Sequence, residues 1–280
     1  MRFKKANIVF GLVIMGLLLL IGISVINILG IGAKEVSVAR KFVEELHDNG
    51  IIEKNNSIEN DDINEEVLNK LTSKNSRIKH SVIIGNYGVD IDKDYNILGF
   101  SNKNLVEEKY STEKISENEA ISLAEKYISQ ITKDEFSFKE IKSNEDSKLE
   151  VYNIVFYKYK NGYPCYQQEI NTLINKITGK LEGYTNYTLE IKEYIDDINI
   201  DEKKAIEILR NNFNSLDINA SIEEKPVLAY INISDEKMVL AYIFNVKVII
   251  SDNKEETISY FVRSDNGEII NYNLEAITLN

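Results

Sequence analysis

Two segments of this chain, 85 residues apart, carry the same pattern, and a repeat of that length constrains architecture more than any local motif can. The first opens Ile115-Ser116-Glu117-Asn118-Glu119-Ala120-Ile121 and the second Ile200-Asp201-Glu202-Lys203-Lys204-Ala205-Ile206. In each, Ser116 or Asp201 stands just after an isoleucine, where its side-chain oxygen can accept from the free N–H groups of a first helical turn. Glu119 completes a capping box with Ser116, whereas Lys204 interrupts it in the later copy. Apolar residues then recur at helical spacing: Ala120, Ile121, Ala124, Ile128 and Ile131 in one, Ala205, Ile206, Leu209, Phe213 and Leu216 in the other. Each copy therefore begins with an amphipathic helix.

Strand patterns follow each helix. Residues 149–159 are rich in Val, Ile, Phe and Tyr, Asn161-Gly162 is a tight-turn signal, and residues 166–174 alternate again. A second turn at Thr178-Gly179 leads into residues 181–189. The later copy repeats the plan with residues 227–233, 239–250 and 257–263, the turn Asp265-Asn266-Gly267, and residues 268–274. An earlier copy is expected at the same offset: Val36, Ala39, Val43 and Leu46 precede Ile121, Ala124, Ile128 and Ile131 by 85 positions, and Ile97-Leu98-Gly99-Phe100 precedes Leu181-Glu182-Gly183-Tyr184 by 84. Residues 53–69 read as a loop or short helix inside it, and residues 142–148 as a smaller polar insertion.

Residues 6–33 form one uncharged apolar stretch preceded by Arg2, Lys4 and Lys5. At about 1.5 Å per residue a helix of that length exceeds the roughly 30 Å hydrocarbon core of a bilayer. The expectation is a single-pass anchor over residues 7–33, with a cytoplasmic N-terminus and everything after it extracytoplasmic. A cleaved secretory signal is the rival reading, but the apolar core is longer than the usual roughly 7 to 15 residues and ends without a small-x-small site. The fold class expected is α+β: a transmembrane helix followed by tandem units, each one helix packed on a three- to four-stranded antiparallel sheet. The units are placed at residues 34–110, 111–192 and 193–280, behind a tip and anchor at 1–33.

The formal charge is −12, and the three basic residues at the start leave the remainder more acidic still. Such a surface repels phosphate, which argues against nucleic acid as a partner. Cys165 is the only cysteine, so no intrachain disulfide can form. The only histidines, His47 and His80, stand beside no spaced ligand pattern, and no zinc-helix, phosphate-loop or nucleophile-elbow motif is found. No catalytic residue, metal site or cofactor is therefore expected. Tyr157, Tyr159, Tyr163 and Tyr166 cluster on the strands of the central copy. Strand tyrosines ordinarily cover a sheet face, but tyrosine is also favoured at protein interfaces, and these four are the candidate partner-binding residues.

Ile115-Ser116-x-x-Glu119-Ala120-Ile121-x-x-Ala124, Asn161-Gly162-Tyr163-Pro164-Cys165-Tyr166 and Asn175-Lys176-Ile177-Thr178-Gly179-Lys180-Leu181 together resemble the PepSY superfamily, particularly its YcdB/YcdC-type repeats. The order of elements is similar to that in the propeptides of thermolysin-like proteases. Leu240-Ala241-Tyr242-Ile243-Phe244-Asn245-Val246 and Asn266-Gly267-Glu268-Ile269 resemble the terminal unit of those propeptides. Cys165 and Lys204 depart from the usual pattern. The resemblance implies a non-enzymatic, membrane-anchored extracytoplasmic module that restrains or chaperones a protease, a cell-wall hydrolase or a sensor protein such as a kinase. The alternative is a structural, self-assembling envelope or spore-envelope protein without a regulatory partner.

Overall fold

Helix α1 (Ala33–Asp48) exists because Ala39, Val43 and Leu46 fall on one stripe, and all three are buried while Lys34, Lys41, Glu44 and Glu45 face solvent. It belongs to a computed structural model that describes residues 33–53, 66–68, 77–104, 114–142, 149–250 and 254–270. Two more helices follow, α2 (Glu117–Ile131) and α3 (Glu202–Ser215). The strands are β1 (Glu66–Leu68), β2 (His80–Ile84), β3 (Tyr87–Ile91), β4 (Ile97–Asn102), β5 (Glu135–Lys142), β6 (Val151–Lys160), β7 (Tyr163–Asn175), β8 (Leu181–Thr185), β9 (Glu193–Ile195), β10 (Ala220–Ile222), β11 (Val227–Ser234), β12 (Lys237–Ile250), β13 (Lys254–Arg263) and β14 (Ile269–Ile270).

The chain divides into two compact units. The first takes residues 1–127, 146–151 and 173–185. In it Phe42 of α1 meets Phe100 of β4 edge-on at 6.0 Å, and Phe100 stacks on Tyr87 of β3 at 5.4 Å. Strands β1 to β4 pair antiparallel in sequence order, and β4 then pairs antiparallel with β8. Phe100 lies opposite Tyr184 in that pair. These are the residues that the 84-residue offset aligns, so the two similar segments lie side by side and satisfy each other's backbone groups.

The second unit takes residues 128–145, 152–172 and 186–280. Its organising strand is β12, flanked by β11 and β13 in antiparallel register and by the short β9 and β10. Successive β12 side chains point to opposite faces. On one face Tyr242, Phe244 and Val246 join Ala205, Leu209 and Phe213 of α3, while Met238 and Leu240 join Cys165 and Tyr230. On the other, Val239, Ala241 and Ile243 join Ala229, Ile231 and Phe261. Asp201 caps α3, its carboxylate accepting from the Lys204 N–H at 2.7 Å.

The expected fold class is corrected. Among the described residues the strands do not close into separate three- to four-stranded antiparallel sheets: in the first unit β1 to β4 and β8 form one five-stranded antiparallel sheet, and in the second the pairing is mixed, with the parallel pairs β7–β11 and β9–β12. The physical reason is that edge strands such as β4 and β8 carry unpaired N–H and C=O groups, which pairing satisfies and isolation would not. The expected single-pass anchor, and the localisation built on it, are not supported among the described residues. Among the described residues no helix is long and apolar enough to cross a membrane, α1 being interrupted by charges throughout. The stretch at 6–33 that carried that expectation lies, except for Ala33, outside the described residues. Within residues 53–69, the described part of the expected loop or helix includes strand β1.

Candidate functional site

Strand β5 pairs with β6 so that Ser137 faces Tyr157 and Glu135 faces Tyr159. Directly opposed residues share a sheet face, and Tyr157 and Tyr159, two apart on a regular strand, share it as well. Tyr166 of β7 reaches the same face: its ring stacks on Tyr157 at 6.3 Å between centroids and 23° between planes. Tyr166 in turn meets Phe261 edge-on at 5.4 Å, which anchors the pair to the Val239–Ala241–Ile243 side of the second unit's core.

A bulge between Phe138 and Glu140 sets Lys139 above this pair, its ammonium 4.9 Å from the Tyr157 ring centroid. The same ammonium donates to Glu169 at 2.5 Å, and Lys142 donates to the second Glu169 oxygen at 3.2 Å. Burial works against ionisation of Lys139 and Glu169, but their mutual hydrogen bond and charge outweigh it, so the lysine is pushed up and the carboxyl held down. Burial pushes the Tyr157 hydroxyl up, so it remains a neutral donor. The result is a half-buried aromatic pair with a fixed cation over it and a paired carboxylate beside it.

Tyr163 is not part of that face. It packs with Cys165, Tyr230 and Leu240 on the opposite side, 6.3 Å and edge-on to Tyr230. The structure thus brings Tyr157, Tyr159 and Tyr166 to one face and assigns Tyr163 to a core cluster on the other.

On the Tyr163 side a pocket of about 300 Å³ opens between the ends of β5, β6 and β7 and the segment leading into β9. Lys133, Asp134, Lys158, Lys160, Cys165 and Tyr194 line it, with Tyr159 contributing to its wall. Asp134 accepts from Lys158 at 2.9 Å and from Asn186 and Thr132, each at 3.0 Å. Burial raises its carboxyl, but these partners together more than offset that and leave it below the ordinary carboxylate value. Burial pushes the Cys165 thiol up to about 11. A thiol so placed is protonated at neutral pH and is no nucleophile.

The His80 ring donates through Nε2 to the Glu35 carboxylate at 3.1 Å and stacks on Tyr95, while His47 lies 3.4 Å from Asp48. Among the described residues no three His, Cys, Asp or Glu side chains converge to hold a metal ion.

Sequence reasoning missed Lys139, Glu169 and Tyr194, as well as the strand that carries Lys139. The signal was only partial: Phe136 and Phe138 alternate with polar residues, but Ile141 rejoins their face only through the bulge.

No protein-family model and no curated protein matches this chain. Among solved structures, it is similar to the Bacillus megaterium YpeB C-terminal domain at 18% identity and a TM-score of 0.44, over 77% of this chain and 93% of that one.

Proposed function

We propose that this chain is a non-enzymatic, PepSY-type binding module that docks a protein partner, a protease, hydrolase or sensor protein, on the face formed by Tyr157, Tyr159 and Tyr166. The observation that carries the reading is the stacked Tyr157–Tyr166 pair under the Lys139 ammonium. Rigid aromatic rings bring large contact area at little entropic cost, which is why they recur as interface anchors. Lys139 and Glu169, already paired, present a fixed pattern of charge around those anchors and reduce what ordering on binding would cost. The inert Cys165 thiol supports binding rather than chemistry as the task of this unit.

The full chain carrying Tyr157→Ser and Tyr166→Ser, compared with the wild type in affinity purification from its native cells, tests the reading. Loss of two anchors is expected to reduce recovery of one specific partner by about tenfold or more. Because Tyr166 also packs on Phe261, Tyr157→Ser alone, with its unfolding midpoint measured, provides a variant that spares the core. Unchanged recovery in both variants would overturn the assignment, and recovery of this chain alone from the wild type would favour self-assembly.

A further inference from the structure

The pocket beside Cys165 opens on the Tyr163 side of the sheet; of the proposed docking surface only Tyr159, with Glu135 opposite it, also borders the pocket. Most of its polar atoms are already satisfied. The Asp134 carboxylate holds Lys158, Asn186 and Thr132. The buried Gln168 accepts from the Leu189 N–H at 2.8 Å and donates to Asn232 at 3.1 Å. Asn161 directs its amide to Asp196 at 3.3 Å and Tyr230 at 3.4 Å. At the rim stand exposed Lys133 and exposed Glu135.

Two donors remain. The Lys160 ammonium stands 5.5 Å from the Tyr194 ring centroid with no carboxylate paired to it among the described residues. The Tyr194 hydroxyl, half-buried, donates to no described residue. We propose that this pocket binds a single carboxylate, taken between the Lys160 ammonium and the Tyr194 hydroxyl. Charge decides the class: three lysines and two carboxylates line the pocket, and Lys158 is paired with Asp134, so the single net positive charge matches a monoanion and leaves a dianionic phosphate half uncompensated. Burial pushes Tyr194 up to about 12, so the hydroxyl keeps its proton to donate at neutral pH. A volume of about 300 Å³ admits a short aliphatic acid or one acidic side chain or chain terminus.

The test is ¹⁹F NMR of the full chain with 3-fluorotyrosine placed at position 194, titrated with propionate, inorganic phosphate and a Glu-containing tripeptide. Propionate is expected to shift the resonance saturably with a midpoint of about 1 to 10 mM, as one charge-assisted contact at a half-open site supports. Lys160→Met is expected to raise that midpoint at least fivefold, while Lys133→Met changes it by less than twofold. A tripeptide at least tenfold tighter than propionate identifies a protein carboxylate as the ligand; equal midpoints identify a free small acid. Non-saturating shifts for both carboxylates, saturation indifferent to Lys160→Met, or phosphate binding more tightly than propionate would each overturn the proposal.

Discussion

Gly162 and Gly179 both sit in the left-handed region, at φ +82° and +68°, yet a side chain added at each would meet different surroundings. Nothing lies within 4 Å of a Cβ at 162, whereas at 179 the Leu123 Cδ1 would be 2.9 Å away and Ile115 Cδ1 3.8 Å. Gly162→Ala should therefore cost only the backbone penalty, about 1 kcal/mol, and Gly179→Ala that penalty plus steric displacement of Leu123, about 2 to 3 kcal/mol. Urea denaturation of the two variants checks the order; equal costs would show that Leu123 yields freely. The turn at 267 repeats the arrangement, with Ile208 Cδ1 at 2.8 Å and Ile200 Cδ1 at 3.7 Å from a Cβ there. Ile200 and Ile208 follow Ile115 and Leu123 by 85 residues, so the offset visible in the sequence corresponds to a repeated contact between a turn glycine and the helix beside it. At this scale the caps were legible as well: Ser116 accepts from Glu119 N–H at 3.3 Å, as the Ser-x-x-Glu spacing implies. What single residues could not reveal was the partner each tyrosine finds, because the stack of Tyr157 on Tyr166 depends on how the two strands are staggered.

Among the elements, α3 depends on burying one stripe against the sheet. Ala205, Leu209 and Phe213 are spaced four apart, and Phe213 meets Tyr260 of β13 edge-on at 5.0 Å. Phe213→Ala removes that contact and leaves a cavity among Tyr242, Phe244 and Val246, for an expected cost of about 3 to 5 kcal/mol in chemical denaturation. A cost below about 1 kcal/mol would mean that α3 does not hold this core together. Helical periodicity and capping made α2 and α3 readable, since both are local signals. The longer strands were readable from β-branched and aromatic runs between turns. Strand β5 was not, because its bulge at Lys139 breaks the two-residue alternation on which a strand reading relies. Neither was the joining of β4 to β8 or of β7 to β11: edge pairing is set by backbone groups that every residue carries, and sequence pattern does not encode which edge meets which.

For the molecule as a whole, one face of the second unit is the proposed surface that a partner meets. The sequence singled out four tyrosines; three share that face, and the fourth, Tyr163, lies across the sheet, a consequence of strand alternation once register is known. The most direct measurement is photocrosslinking in native cells from a photoreactive residue at Ser137, which is exposed and opposite Tyr157, paired with the same probe at exposed Lys133 by the pocket rim. Position 137 is expected to capture one protease, hydrolase or sensor protein, position 133 is not, and Tyr157→Ser is expected to abolish the capture. Capture of the same proteins from both positions, or capture from 137 that persists in Tyr157→Ser, would contradict that assignment.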